Sequence, residues 1–198
     1  MYSCFSSKVE FKNIKFIEYW CWEEEALALF AEHIQTKEPL PHELFVKLKA
    51  TKNFQIGLRV MRQLEFSLFD FVLHQTFRAD STNRMDIQEI LNRVRSKTAL
   101  MHVPKFNHFQ NTFSHIFGGG YAAGYYSYLW SEVLAADVFE QFTEGHQVFN
   151  KEVAKKFLET ILSKGGSMEF MDLFVAFRGR APQIDALLKE YNLPLSLQ

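Results

Sequence analysis

Cysteine is nearly missing: Cys4 and Cys21 are the only two in 198 residues, and they form no CxxC pair. They make neither a disulfide framework nor a cysteine metal site, so a reducing cytoplasm is the expected compartment. Net charge is also missing. Twenty-two basic residues against 23 acidic ones give −1, too little for a strong electrostatic case for nucleic acid or an anionic membrane. Long apolar runs are absent as well. The longest uncharged stretch, Ile116 to Ser131, falls short of the ~20 apolar residues a membrane span needs and is rich in Gly and Tyr. Met1 to Lys8 lacks the basic and apolar halves of a targeting signal. These absences predict a soluble, cytoplasmic protein. Runs of β-branched residues, internal repeats and low-complexity linkers are missing too.

What is present is apolar and aromatic. Hydrophobic residues make up 47% of the chain and 21 phenylalanines bring the aromatics to 16%, which suits a folded chain with a substantial core. Apolar spacing predicts helix from Phe16 to about Gln35, ahead of the Pro39-Leu40-Pro41 break. Pro41 is placed to open a helix over Glu43 to Ala50, and Asn53 to cap a long one over Phe54 to Phe77. In that long helix Leu58, Met61, Leu64, Glu65, Leu68, Phe69 and Val72 predict burial on more than one side. Further helices are predicted over Asp86 to Ser96, Tyr121 to Phe142, Asn150 to Ser163 (stopped by Gly165-Gly166), Met168 to Phe177 and Pro182 to Tyr191. The expected class is all-α, an irregular multi-helix assembly.

One segment looks built for chemistry. His115-Ile-Phe-Gly-Gly-Gly-Tyr121 joins a triple glycine to Tyr121, Tyr125 and Tyr128, which a helix would bring to one face. Aromatic packing accounts for such a stripe; so does a set of hydroxyl donors aimed at a developing oxyanion. Neutral tyrosine is a poor nucleophile and a poor base, so the donors need an attacker that these residues do not supply. Gly118 to Ala123 also fits a GxGxxA dinucleotide fingerprint, which requires a preceding strand. His42-Glu43-Leu44-Phe45-Val46 comes within one residue of HExxH, but Val46 cannot bind zinc. Glu23 to Glu25 read as a solvated face. Arg178-Gly179-Arg180 either clamps a carboxylate or phosphate or caps a helix end. His33 and His74 fall in predicted helices as ordinary polar histidines.

The phrases Tyr19-Trp-Cys-Trp-Glu23, Lys52-Asn-Phe-Gln55, Arg62-Gln-Leu-Glu-Phe66, Phe113-Ser-His-Ile-Phe117 and Gly119 to Trp130 closely resemble the thimet oligopeptidase family of zinc metallopeptidases. The likeness runs from about Ile17 to Tyr191. It implies the C-terminal part of a mostly helical catalytic domain that cleaves short peptides in a deep channel. On that pattern residues 1–15 are a divergent N-terminal segment and 16–198 the domain part. The resemblance implies that Tyr121 and Tyr128 bond the scissile carbonyl and its tetrahedral intermediate, while His115 and Tyr125 position the peptide and Gly119 and Gly120 belong to a mobile loop. It implies zinc for the intact enzyme, held by an HExxH upstream of the matching region and by a glutamate just before the Trp-Cys-Trp phrase. Phe11 falls on that glutamate's position without gaps, and Glu10 reaches it with one extra residue. The expectation is therefore no zinc for this chain alone, no independent activity, short peptides as partners, and possible self-association through surface that the missing remainder would cover. The other reading is a non-catalytic helical module that binds peptides or other chains.

Overall fold

The computed structural model describes residues 15–77, 86–145 and 148–195. Its elements in chain order are a helical turn at 15–18 running into a 3₁₀ turn Tyr19–Trp22, then α1 (Glu24–Leu27), α2 (His42–Thr51), α3 (Ile56–Thr76) and α4 (Ile87–Thr98). A 3₁₀ turn Phe109–Thr112, α5 (Ser114–Phe117), α6 (Ser127–Thr143), α7 (Lys151–Phe157), a π turn Leu158–Leu162, α8 (Phe170–Arg178) and α9 (Asp185–Glu190) complete the order. No strand occurs among the described residues, which leaves one isolated bridge between Glu32 and Pro39. The class is all-α. No helix among them is long and apolar enough to cross a membrane.

The chain divides into two compact units, one formed by residues 1–54 with 130–198 and the other by residues 55–129. In the first, Phe139 and Phe142 of α6 meet Phe157, Phe174 and Phe177 in a core that also buries Phe16. Trp20 stands edge-on to Phe139 and Phe142 at 4.8 and 5.0 Å, a favoured geometry for aromatic quadrupoles. Its indole N–H donates to the Val148 carbonyl at 3.1 Å. The Arg178-Gly179-Arg180 motif finds an internal carboxylate. Asp137, fully buried on α6, accepts from Arg178 Nε at 2.8 Å and from both terminal nitrogens of Arg180 at 2.7 and 2.8 Å. Gly179 also ends α8 in the left-handed region at φ 76°, so both readings of the motif hold together.

In the second unit α3 packs against α4. Glu65, Phe69 and Leu73, spaced i, i+4, i+8, form the buried stripe of α3, and Ile90, Leu91 and Val94 answer from α4. Burial extends to a second side of α3, where Ser67 and Asp70 are enclosed, but Leu58, Leu64 and Leu68 of the predicted face stay 37 to 42% exposed.

Other expectations are corrected. Phe16 to Gln35 is not one helix. After α1 the chain reverses, with Leu40 N–H donating to the Ala31 carbonyl and His33 N–H to the Glu38 carbonyl, and Lys37 takes φ 61°. His33 therefore sits in a loop, where its Nδ1 accepts from the Thr36 amide. Pro41 precedes α2 in extended conformation instead of opening it, and His42 pairs with Glu24 at 2.7 Å. Asn53 does not cap α3; its amide donates to the Glu190 carbonyl at 2.8 Å, and left-handed Gln55 takes the cap position. Asn150 does cap α7, accepting from the Glu152 and Val153 amides. Glu10, Phe11 and Cys4 lie outside the described residues.

Candidate functional site

The site lies wholly within residues 55–129. Its floor is Asp70, a carboxylate in the middle of α3 with no exposed surface. Asp70 Oδ1 accepts the Ala123 amide and Oδ2 the Tyr125 amide, each at 2.9 Å. His74 Nδ1, one turn on, lies 2.9 Å from Oδ1. One buried side chain thus holds two amides of the segment that carries the tyrosines. This explains why Tyr121 to Tyr126 is not helical, against the periodicity. The segment winds through turns, with Ala123 at φ 50°, and α6 begins only at Ser127.

The turns still bring the rings together. Tyr121 stacks on Tyr128 at 5.2 Å between centroids, and Tyr125 lies 4.8 Å from Tyr128. His115, exposed on α5, has all three around it at 5.9 to 6.3 Å. The glycines set this approach. A Cβ on Gly119 would meet the His115 Cα and carbonyl oxygen at 2.9 Å, and Gly120 takes φ 77°, so both positions favour glycine. The Tyr121 amide then closes the loop on the His115 carbonyl at 3.1 Å.

The surroundings of Tyr125 and Tyr128 favour their neutral phenols. Burial pushes Tyr125 up, opposed by its hydrogen bond to Gln63 Oε1 (3.2 Å) and by the Arg62 charge. Burial and the hydrogen bond to Tyr121 push Tyr128 up further. At neutral pH they are donors, able to stabilise negative charge and unable to act as base. Asp70 and Gln63 are site residues that the pattern reading missed. The signal for Asp70 was a lone acid inside the apolar run from Ser67 to Leu73.

A family model described as "Peptidase family M3" matches residues 9–193. The chain belongs to peptidase family M3. Oligopeptidase A of Escherichia coli strain K12 is 53% identical over 179 residues, which is 90% of this chain and 26% of that protein. A probable cytosolic oligopeptidase A of Arabidopsis thaliana is 40% identical over 182 residues, again 90% and 26%. Dipeptidyl carboxypeptidase of E. coli K12 is 33% identical over 176 residues, 89% and 26%. This M3 chain spans about a quarter of the length of the curated relatives it matches. Among the described residues no strand precedes Gly118, so the dinucleotide reading of the glycines lacks its required context. Among the described residues no three His, Cys, Asp or Glu are grouped to hold a metal ion. The residues described do not fit a zinc centre.

Proposed function

We propose that this chain is the C-terminal part of an oligopeptidase catalytic domain, residues 16–198, and forms the wall that receives a short peptide. The observation that carries the reading is the convergence of His115 and three tyrosines, two of them raised phenols, on a loop anchored by one buried carboxylate. Tyr121 and Tyr128 donate to the carbonyl oxygen as it becomes an oxyanion. His115 and Tyr125 hold the peptide backbone, and Gly119 and Gly120 let it come close. On this reading water activation and zinc come from residues outside the matched region, and the compartment is the cytoplasm.

A chimera tests the oxyanion role. With this chain replacing the matching quarter of E. coli oligopeptidase A, peptide cleavage should be retained, and Tyr128→Phe should lower kcat by roughly 10²–10³, the usual effect of losing one oxyanion donor. An unchanged kcat removes Tyr128 from that role; an inactive but folded chimera overturns the assignment of the chain.

The chain by itself should show no zinc-dependent, chelator-sensitive cleavage of a short fluorogenic peptide, yet bind the peptide saturably. His115→Ala should weaken that binding several-fold. Binding without cleavage would also sustain the second reading, a peptide-binding module, which the preassembled ring cluster favours. Neither binding nor chimera activity would remove both.

A further inference from the structure

Beside the ring cluster, and still within residues 55–129, the chain after α4 folds back over the start of α3 and leaves a cleft of about 270 Å³. Leu58 and Met61 of α3 and Leu100, Met101 and Val103 of the returning segment give it an apolar lining. Arg62, Glu65, Thr98 and His102 form its polar edge. Two guanidiniums share this one carboxylate: Arg62 Nη1 at 2.7 Å and the buried Arg95 Nε at 3.0 Å. Arg95 turns its remaining reach to the neutral Asn107 amide oxygen at 2.9 Å. The trio is left with one positive charge in excess. Among the described residues Arg62 donates only to Glu65, while its plane rests on the Phe66 and Phe109 rings at 4.4 and 4.6 Å, and its side chain remains 40% exposed. A guanidinium carries five N–H donors in a fixed fork, so most of them remain for a ligand.

We propose that this cleft is a subsite for an apolar residue bearing a free carboxylate, the C-terminal residue of a bound peptide. The apolar lining takes the side chain and Arg62 takes the carboxylate through charge-assisted hydrogen bonds. The volume fits one residue and lies below that of a typical drug-sized pocket, about 300–1,000 Å³. The excess charge selects an anion over an amide or an amine. The subsite is contiguous with the tyrosines, since Gln63, next to Arg62, accepts the Tyr125 hydroxyl and Phe66 stands edge-on to Tyr125 at 5.6 Å. The identity of the ligand rests on the peptidase reading above; the recognition of an apolar carboxylate rests on the cleft.

The test uses small ligands that fill only this cleft. N-acetyl-leucine titrated into the chain should bind saturably and shift the NMR signals of Leu58, Leu100 and Met101. N-acetyl-leucinamide, and N-acetyl-leucine with Arg62→Met, should each bind about ten- to a hundredfold more weakly, the range for a lost hydrogen bond to a charged group. Arg62→Lys should keep part of the affinity that Arg62→Met loses. Equal binding of acid and amide to the unaltered chain, shifts at other residues, or no saturation overturns the subsite, with no variant needed. If N-acetyl-leucine behaves as described while the chimera is inactive, the peptidase reading fails and the subsite stands.

Discussion

Asp70→Ala should destabilise residues 55–129 by about 3–5 kcal/mol and disperse the tyrosine cluster. A buried N–H left without an acceptor costs about 1–3 kcal/mol, and the substitution strands one at buried Tyr125 and takes the acceptor from a second at the more exposed Ala123. His74 loses its carboxylate partner as well. The void adds a packing loss beside Phe69, which has no exposed surface. Asp70→Asn should fall between, because one amide oxygen can accept only one of the two backbone donors well while its NH₂ faces the other. Urea unfolding followed by tyrosine fluorescence measures the loss, and amide hydrogen exchange at Ala123 and Tyr125 locates it. A loss under about 1 kcal/mol, or exchange at those two amides as slow as in the parent, would show that the turn holds itself. Peptide binding should fall along with amide protection, since His115 and the phenols would keep their chemistry and lose their positions.

How much of this was legible in the sequence follows from which forces act locally. Helices stabilised by their own stripe and stops were readable: α4 from its apolar period, α7 from Asn150 and α8 from Gly179 at its end. The errors arise where a distant group overrides the local pattern. Tyr121 to Phe142 has helical periodicity throughout, but Asp70, more than fifty residues earlier, takes the Ala123 and Tyr125 amides and holds the first six residues in turns. Asn53 has the chemistry of a helix cap, and the Glu190 carbonyl claims its side chain. The three tyrosine rings do come together, although not on a helix face. Three tyrosines after a triple glycine converge either on a helix face or on a tight turn, and spacing alone does not separate the two. Asp70 was hidden because a single acid in an apolar run reads as an exposed position, when here it is as enclosed as the neighbouring Phe69.

Asp137→Ala should destabilise the unit formed by residues 1–54 and 130–198 by about 3–5 kcal/mol at neutral pH, the range for removing one partner of a buried ion pair. Arg178, with 5% of its side chain exposed, would keep only Glu140 at 3.1 Å and the outer Glu144 at 3.3 Å, and the Gln183 amide would lose its acceptor. The same carboxylate sets an acid limit. Burial alone would raise its pKa, but the Arg180 hydrogen bonds, the Gln183 amide and the two guanidinium charges outweigh that and hold it below its ordinary 3.8. A group whose folded pKa is depressed contributes stability above its unfolded pKa and loses it as pH falls toward the folded value. From this group, stability should therefore be flat from pH 7 to about pH 5 and decline below 3.8. Asp137→Asn should be less stable at pH 7 and show a shallower decline in acid, because the proton-linked term is gone. Urea midpoints at pH 7 and pH 3 for the parent and Asp137→Asn read both effects. Parallel acid declines in the two proteins would assign the sensitivity to other carboxylates, and equal stability at pH 7 would mean that Glu140 can replace Asp137 as the anchor of both arginines.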